Sequence, residues 1–163
     1  KGRWGSILSI HGTYNGSLLN IGSHMIDLIN LLYNEYTIVD KNMMSNSRVY
    51  CFENKNKIPL IITEIQNQLF PIFEITIFCE KASIRFFDNT KYIGIKKIIQ
   101  SKIHKGEKTF DKEIRTQTDF HKLLDLTYDN ILKFINDGIP IQSNEKNAFL
   151  VHKTIEEINN LKN

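Results

Sequence analysis

Apolar and polar side chains alternate along Ile72–Glu80. Phe73, Ile75, Ile77 and Cys79 fall on one face, and Glu74, Thr76 and Glu80 on the other. A period of two predicts a half-buried strand of an antiparallel sheet. Similar strand-like runs occur at Ser6–Tyr14, Tyr36–Ser45, Val49–Glu53, Pro59–Gln68, Ser83–Phe87 and Tyr92–Ile103. Polar Asn54–Lys57 reads as a turn, and Lys81-Ala82 as a short hairpin link. Between the first two strands the period changes. Leu18, Leu19, Met25, Ile26, Leu28, Ile29, Leu31 and Leu32 recur at helical spacing from Ser17 to about Tyr33, with Ser17 or Asn15 as cap. Gly22 inside this helix costs about 1 kcal/mol relative to Ala, which suggests that something packs closely against the backbone there.

The last third is helical. Phe120, Leu123, Leu124, Leu126, Ile131, Leu132, Phe134 and Ile135 trace a broad apolar face; Gly138 and Pro140 end it. Ser143 is the expected cap of a final helix that turns Ala148, Val151, Ile155, Ile158 and Leu161 inward. One strand, one helix, a run of strands and two helices imply an α+β fold: a largely antiparallel open sheet with helices packed on one face. The Ile- and Phe-rich strands suggest that a partner covers the other face.

Composition narrows the classes. The 163 residues are 41% apolar and 24% charged, ordinary for one globular domain. No apolar run approaches the ~18 residues of a membrane span. Lys1–Gly5 carries charge without an apolar region behind it, so it does not read as a signal peptide. The chain lacks an initiator Met and opens into strand-like sequence, which suggests a domain cut from a longer protein. A net charge of +3 is spread over scattered lysines rather than gathered in a stripe, so no nucleic-acid partner is expected. Cys51 and Cys79 lack zinc-ligand spacing and read as buried free thiols of a reducing, cytoplasmic compartment; no metal is expected. Trp4 reads as a packing anchor against a missing domain. His11, His104, His121 and His152 are isolated.

No GxGxxG, P-loop, HExxH or GxSxG occurs. The richest polar stretch is Tyr14 to Asp27. On a helix, Asn20 and His24 lie four apart on one face, with Ser17 a turn earlier and Asp27 a turn later. Histidine exchanges protons near pH 7, and an adjacent amide both donates and accepts toward a hydroxyl. Such a pair suits oxidation of a sugar alcohol; the alternative is a structural histidine on a helix flank.

Gly16-Ser17-Leu18-Leu19-Asn20-Ile21-Gly22-Ser23-His24-Met25-Ile26-Asp27-Leu28 resembles the helix that opens the C-terminal domain of Gfo/Idh/MocA-type oxidoreductases. These are NAD(P)-dependent dehydrogenases of sugars, inositols and sugar nucleotides. Gly5-Ser6-Ile7 resembles the start of that domain's first strand. Phe120 through Pro140 and Ser143–Ile158 resemble its closing helices. The resemblance implies that residues 1–163 are a substrate-binding and oligomerisation domain, with the Rossmann domain absent. It implies a catalytic His24, and a sugar or sugar nucleotide held by Asn20, Tyr14 and Asn15. It implies NAD or NADP held mainly by the missing domain, and a homo-oligomer formed through the open sheet face. Asn20 stands where many members have Asp, as in a branch acting on nucleotide-linked sugars in surface-polysaccharide pathways. Asp27 matches a recurrent family acid and is expected to be structural. The family's hairpin usually carries glycine where this chain has Lys81-Ala82. The family's Glu-Lys-Pro lysine motif does not occur here, so the chain by itself is expected to be inactive. A non-catalytic binding or scaffold module of the same fold is the alternative.

Overall fold

The computed structural model describes residues 2–32, 36–66, 70–141 and 143–161. The strands are β1 (Ile7–Asn15), β2 (Tyr36–Met44), β3 (Ser47–Asn54), β4 (Pro59–Ile65), β5 (Phe73–Cys79), β6 (Ala82–Phe87), β7 (Tyr92–Gln100), β8 (Lys108–Phe110) and β9 (Ile114–Gln117). The helices are α1 (Ser23–Leu32), α2 (Leu123–Asp137) and α3 (Glu145–Asn160). The strands form one sheet ordered β2-β3-β4-β1-β5-β6-β7. Beyond β7, β9 pairs with Tyr92–Ile95 and β8 with Ile98–Gln100. Only the β1–β4 pairing is parallel among the described strands. The fold is the expected α+β, with a mostly antiparallel open sheet.

Register explains the core. Ile10, Gly12 and Tyr14 of β1 align with Leu60, Ile62 and Glu64 of β4, and Ile10 and Gly12 with Ile77 and Ile75 of β5. All of these are buried. Met25, Ile26 and Ile29 of α1 and Val151, Ile155 and Ile158 of α3 close over them. On β5 the buried residues are Ile75, Ile77 and Cys79, as the alternation predicts, with Phe73 partly buried against the same core. The opposite face carries His11, Cys51, Thr76, Phe78 and Arg85, and α1 and α3 leave it open. Cys51 is therefore half-buried rather than buried, and it lies on the other side of the sheet from Cys79; both are free thiols. Trp4 is partly buried against this domain's own core, with the Arg3 guanidinium 4.6 Å from its ring centre.

Several boundaries differ from the expectation. The first helix opens with a π-turn, Leu18–Gly22, before α1 begins, and Tyr33 lies outside the described residues. β4 ends at Ile65; Asn67 and Gln68 also lie outside the described residues. β7 ends at Gln100, and the short edge strands β8 and β9, exposed along their length, have too few alternating residues to be read from pattern. The β5–β6 link is Glu80-Lys81, one residue earlier than expected, and needs no glycine: neither residue has a positive φ.

Asn144, not Ser143, caps α3: its side chain accepts from the backbone N–H of Lys146 (3.0 Å) and Asn147 (3.4 Å). Asn144 has the extended backbone a cap requires, and Ser143 is drawn away to α1. Lys41 of β2 covers the other end of α3, its Nζ donating to the carbonyls of Ile158 (3.3 Å) and Leu161 (2.8 Å). α2 stops at Gly138, whose φ of +66° is the left-handed conformation of a helix C-terminus. The apolar face of α2 does not reach the core. None of its residues is buried, and Leu124 and Ile135 are 71% and 68% exposed.

Candidate active site around His24

The C-terminal end of β1 delivers two of the expected site residues, and the pleat separates their fates. Tyr14 points to the helix face and is 0% exposed. Its hydroxyl donates to Glu64 Oε2 at 3.1 Å, and the Tyr50 hydroxyl donates to the same oxygen at 2.7 Å. Arg48 Nη1 donates to Glu64 Oε1 at 3.2 Å. Burial first, and then the Glu64 carboxylate, holds both phenols above their ordinary range, so they remain neutral donors. The expectation that Tyr14 meets substrate is corrected: the pleat places it in the core, and its hydroxyl is committed to a buried carboxylate.

Asn15 is one residue on and half-exposed. Its Nδ2 donates to the Phe70 carbonyl (3.1 Å) and its Oδ1 accepts from the Ile72 N–H (2.7 Å). This clamp ties the end of β1 to the entry of β5 and holds Ile72 and Phe73 beside His24.

Gly16, at φ +111°, then lets the chain turn toward the helix layer. Ser17 Oγ accepts from the Asn20 N–H at 3.3 Å, as an N-cap does. The Ser17 carbonyl accepts from the Gly22 N–H at 3.1 Å, the five-residue spacing of a π-turn. Gly22 has the close neighbour its position implied. A Cβ there would stand 2.7 Å from the Tyr14 hydroxyl oxygen and 3.0 Å from Leu18.

The π-turn changes how Asn20 relates to His24. The two were expected side by side on an α-helical face. In the structure His24 is on the first turn of α1 and Asn20 is inside the wider turn before it. His24 lines two cavities, and Asn20 lines neither. Its carbonyl instead accepts from the Ser23 hydroxyl.

His24 is exposed, and its imidazole makes no side-chain hydrogen bond among the described residues. One adjoining cavity, about 260 Å³, lies on the α1–α3 seam between Leu19, Ser23, Asp27, Ser143, Val151 and His152. Asp27 Oδ2 accepts from Ser143 Oγ at 3.0 Å, which joins α1 to the start of α3. Its Oδ1 is buried without a partner among the described residues. The other cavity, about 520 Å³, opens between α1, the end of β1, the entry to β5 and the β6–β7 turn. Its walls are mostly apolar: Ile21, Leu28, Ile72, Phe73, Phe120 and Leu123; Asn15, Asn89 and Thr90 are its polar residues besides His24. Sequence reasoning passed over Asn89 and Thr90, and gave Ser143 only as a helix cap. The available signal was Asp88-Asn89-Thr90, a polar tripeptide between two strands.

A third cavity, about 550 Å³, lies further along the seam, among Asn30, Tyr36, Asn147, Lys153, Thr154 and Glu157. The Tyr36 phenol there is pushed up to about 12, mainly by burial. It contains no side chain that exchanges protons near neutral pH, so the cavities at His24 are the better candidates for chemistry.

Among the described residues no three His, Cys, Asp or Glu side chains gather to hold a metal ion. β1 leads into a π-turn capped by Ser17 rather than into the glycine-rich strand–turn–helix that cradles a pyrophosphate. No described helix is long and apolar enough to cross a membrane.

No protein-family model and no curated protein matches the chain. Solved structures do. The dehydrogenase MviM from Clostridium difficile aligns over 97% of this chain and 55% of its own, at 14% identity and a TM-score of 0.72. Levoglucosan dehydrogenase in complex with NADH gives 96%, 57%, 13% and 0.73. The WlbA dehydrogenase from Bordetella pertussis, in complex with NADH and UDP-GlcNAcA, gives 97%, 55%, 15% and 0.69. The chain spans a little over half the length of the structures it matches. It has the fold of the C-terminal domain of Gfo/Idh/MocA-type dehydrogenases.

Proposed function

We propose that this chain is the substrate-binding domain of an NAD(P)-dependent dehydrogenase of the Gfo/Idh/MocA type, acting on a sugar or nucleotide-linked sugar. The supporting observation is the position of His24. On a fold shared with sugar and nucleotide-sugar dehydrogenases, the first turn of α1 presents an exposed imidazole to two cavities. Its nitrogens are free of other described side chains, so one is available to take the proton of a substrate hydroxyl as its carbon is oxidised, or to return it in the reverse direction. The oxidant, NAD or NADP, is held mainly by another domain. Asn15 shapes the cavity through its clamp. Asn20, exposed on the π-turn just before His24, is hydrogen-bonded there through its backbone N–H and carbonyl, and its side-chain amide is the group that orients the sugar. The open sheet face, with Phe78, Phe87 and Ile61 among its residues, is the surface for homo-oligomerisation. The setting is the cytoplasm, and a surface-polysaccharide pathway fits the Asn20 variant of the motif.

The test is His24→Gln in the protein carrying both domains. Turnover should fall about 10²–10⁴-fold with the fold intact by circular dichroism. Unchanged turnover would favour the second reading, a binding module of the same fold. One observation supports that reading: no described carboxylate bonds His24 to fix its tautomer, and Asp27 bonds Ser143 through Oδ2 instead. Sedimentation of the 19.0 kDa chain tests the open face; a monomer at all concentrations would remove the oligomerisation role.

A further inference from the structure

Basic residues that look scattered along the chain meet at one end of the sheet. β7 runs from Tyr92 to Gln100 and returns as β8, with Ile98–Gln100 paired to Lys108–Phe110. Residues 96–112 of this hairpin hold six lysines, Lys96, Lys97, Lys102, Lys105, Lys108 and Lys112, against Glu107 and Asp111. That is a net charge of +4 where the whole chain carries +3. The next acid, Glu113, is committed to Arg85 and Arg115. Among the described residues none of the six ammonium groups forms an ion pair. Lys102, Lys105, Lys108 and Lys112 are exposed.

The tip of the hairpin is fixed by its own hydrogen bonds. The Ser101 N–H donates to the Glu107 carbonyl (2.8 Å), and Ser101 Oγ accepts from the N–H groups of Ile103 (3.2 Å) and His104 (2.9 Å). This turn carries Ile103 outward. At 86% exposure it is the most exposed large apolar side chain among the described residues. Phe110, 48% exposed, borders the same hollow of about 370 Å³, together with Lys102, Lys108 and Lys112. Ile103 gains little from the folding of this domain; it gains on leaving water for an apolar phase. Lysines and apolar side chains on one projection fit a surface that is anionic outside and hydrocarbon beneath. The headgroup layer of an anionic bilayer offers phosphates to the ammonium groups and, below them, an apolar phase to Ile103 and Phe110. A nucleic acid would neutralise the lysines but leave Ile103 in water, and residues 96–112 contain no arginine to fork onto a phosphate or a base.

We propose that the β7–β8 hairpin docks this protein on an anionic phospholipid surface, with the lysines on lipid phosphates and Ile103 and Phe110 below them. The inference is independent of the His24 reading. β7 is nine residues long, so at ~3.3 Å per residue the tip stands roughly 25 Å from the β6–β7 turn beside His24. Docking through the tip leaves the His24 cavities open to solution.

Co-sedimentation of the purified protein with vesicles tests it, using phosphatidylglycerol and phosphatidylcholine in equal parts against phosphatidylcholine alone. The protein should bind the mixed vesicles at least about ten-fold more tightly, and ~1 M salt should release most of it as the screening length falls to about 3 Å. Lys102→Glu combined with Lys105→Glu should weaken binding about twenty-fold or more, at about five-fold per lysine. Ile103→Ser should weaken it about ten-fold with the charge unchanged. All three side chains are exposed, so the thermal midpoint should not move. Lys133→Glu combined with Lys146→Glu makes the same charge change on α2 and α3, and should alter binding less than about two-fold. Equal binding to the two kinds of vesicle, an equal loss in the α2–α3 pair, or full affinity in Ile103→Ser would each overturn the proposal. So would tighter binding to a DNA duplex than to the mixed vesicles.

Discussion

Glu64 is a carboxylate 2% exposed in the middle of the sheet, and replacing it by Ala is the most demanding test of how this core is held. Two buried phenol hydroxyls lose their acceptor, Tyr14 at 3.1 Å and Tyr50 at 2.7 Å. Each stranded buried donor costs about 1–3 kcal/mol. Arg48 also loses its partner, but its side chain is 39% exposed and water replaces much of the lost interaction, so it adds little. The cavity left by the missing carboxyl adds to the loss. A destabilisation of about 3–5 kcal/mol follows, a large share of the ~5–15 kcal/mol available to a typical domain. Glu64→Gln keeps one acceptor oxygen for the phenols and should lose roughly half as much. Urea unfolding followed by tyrosine fluorescence and circular dichroism measures both, with the slope m constant between variants. A loss below ~1 kcal/mol for Glu64→Ala would refute the reasoning, because it would mean the phenols find other partners at no cost.

Three further outcomes follow from the same geometry. Gly22→Ala gains about 1 kcal/mol of helix propensity but drives a Cβ to 2.7 Å from the Tyr14 hydroxyl, whose ring is fully buried and cannot retreat. The clash should win, with a net loss of about 1–2 kcal/mol by urea midpoint. Asn144→Ala should cost about 1 kcal/mol by removing the α3 cap, while Ser143→Ala should leave the helix content of α3 unchanged; reversed effects in circular dichroism melts would return the cap to Ser143. Hydrogen bonds from Arg85, and then from Arg115, hold Glu113 below the ordinary 4.5 of a carboxyl against the opposing effect of its burial. A depressed folded-state value contributes stability that is present above pH ~4.5 and lost as pH falls through the lowered value. Glu113→Gln should therefore flatten the acid limb of the urea-midpoint profile below that pH, and an unchanged limb would show that other groups set it.

What the sequence carried alone is what depends on neighbours along the chain. The alternation of Ile75, Ile77 and Cys79 placed β5 correctly because a pleat repeats every two residues whatever lies beyond it. Gly22 announced a close contact because a glycine in a helix needs a reason, and Gly138 ended α2 because a left-handed residue suits Gly. His24 was singled out by residue type and resemblance.

Only tertiary structure decided the rest. Whether Tyr14 faces substrate or core depends on which side of β1 the helices cover, and on Glu64, fifty positions away, waiting beneath it. The π-turn at Leu18–Gly22 leaves Asn20 outside the cavities that His24 lines, and the Tyr14 hydroxyl packs so closely beside position 22 that only glycine fits there. Asn89 and Thr90 are ordinary members of a polar tripeptide until the sheet brings the β6–β7 turn to the first turn of α1. The broad apolar face of α2 was legible, but its exposure was not, because a hydrophobic pattern reports that a face seeks cover and not where the cover lies.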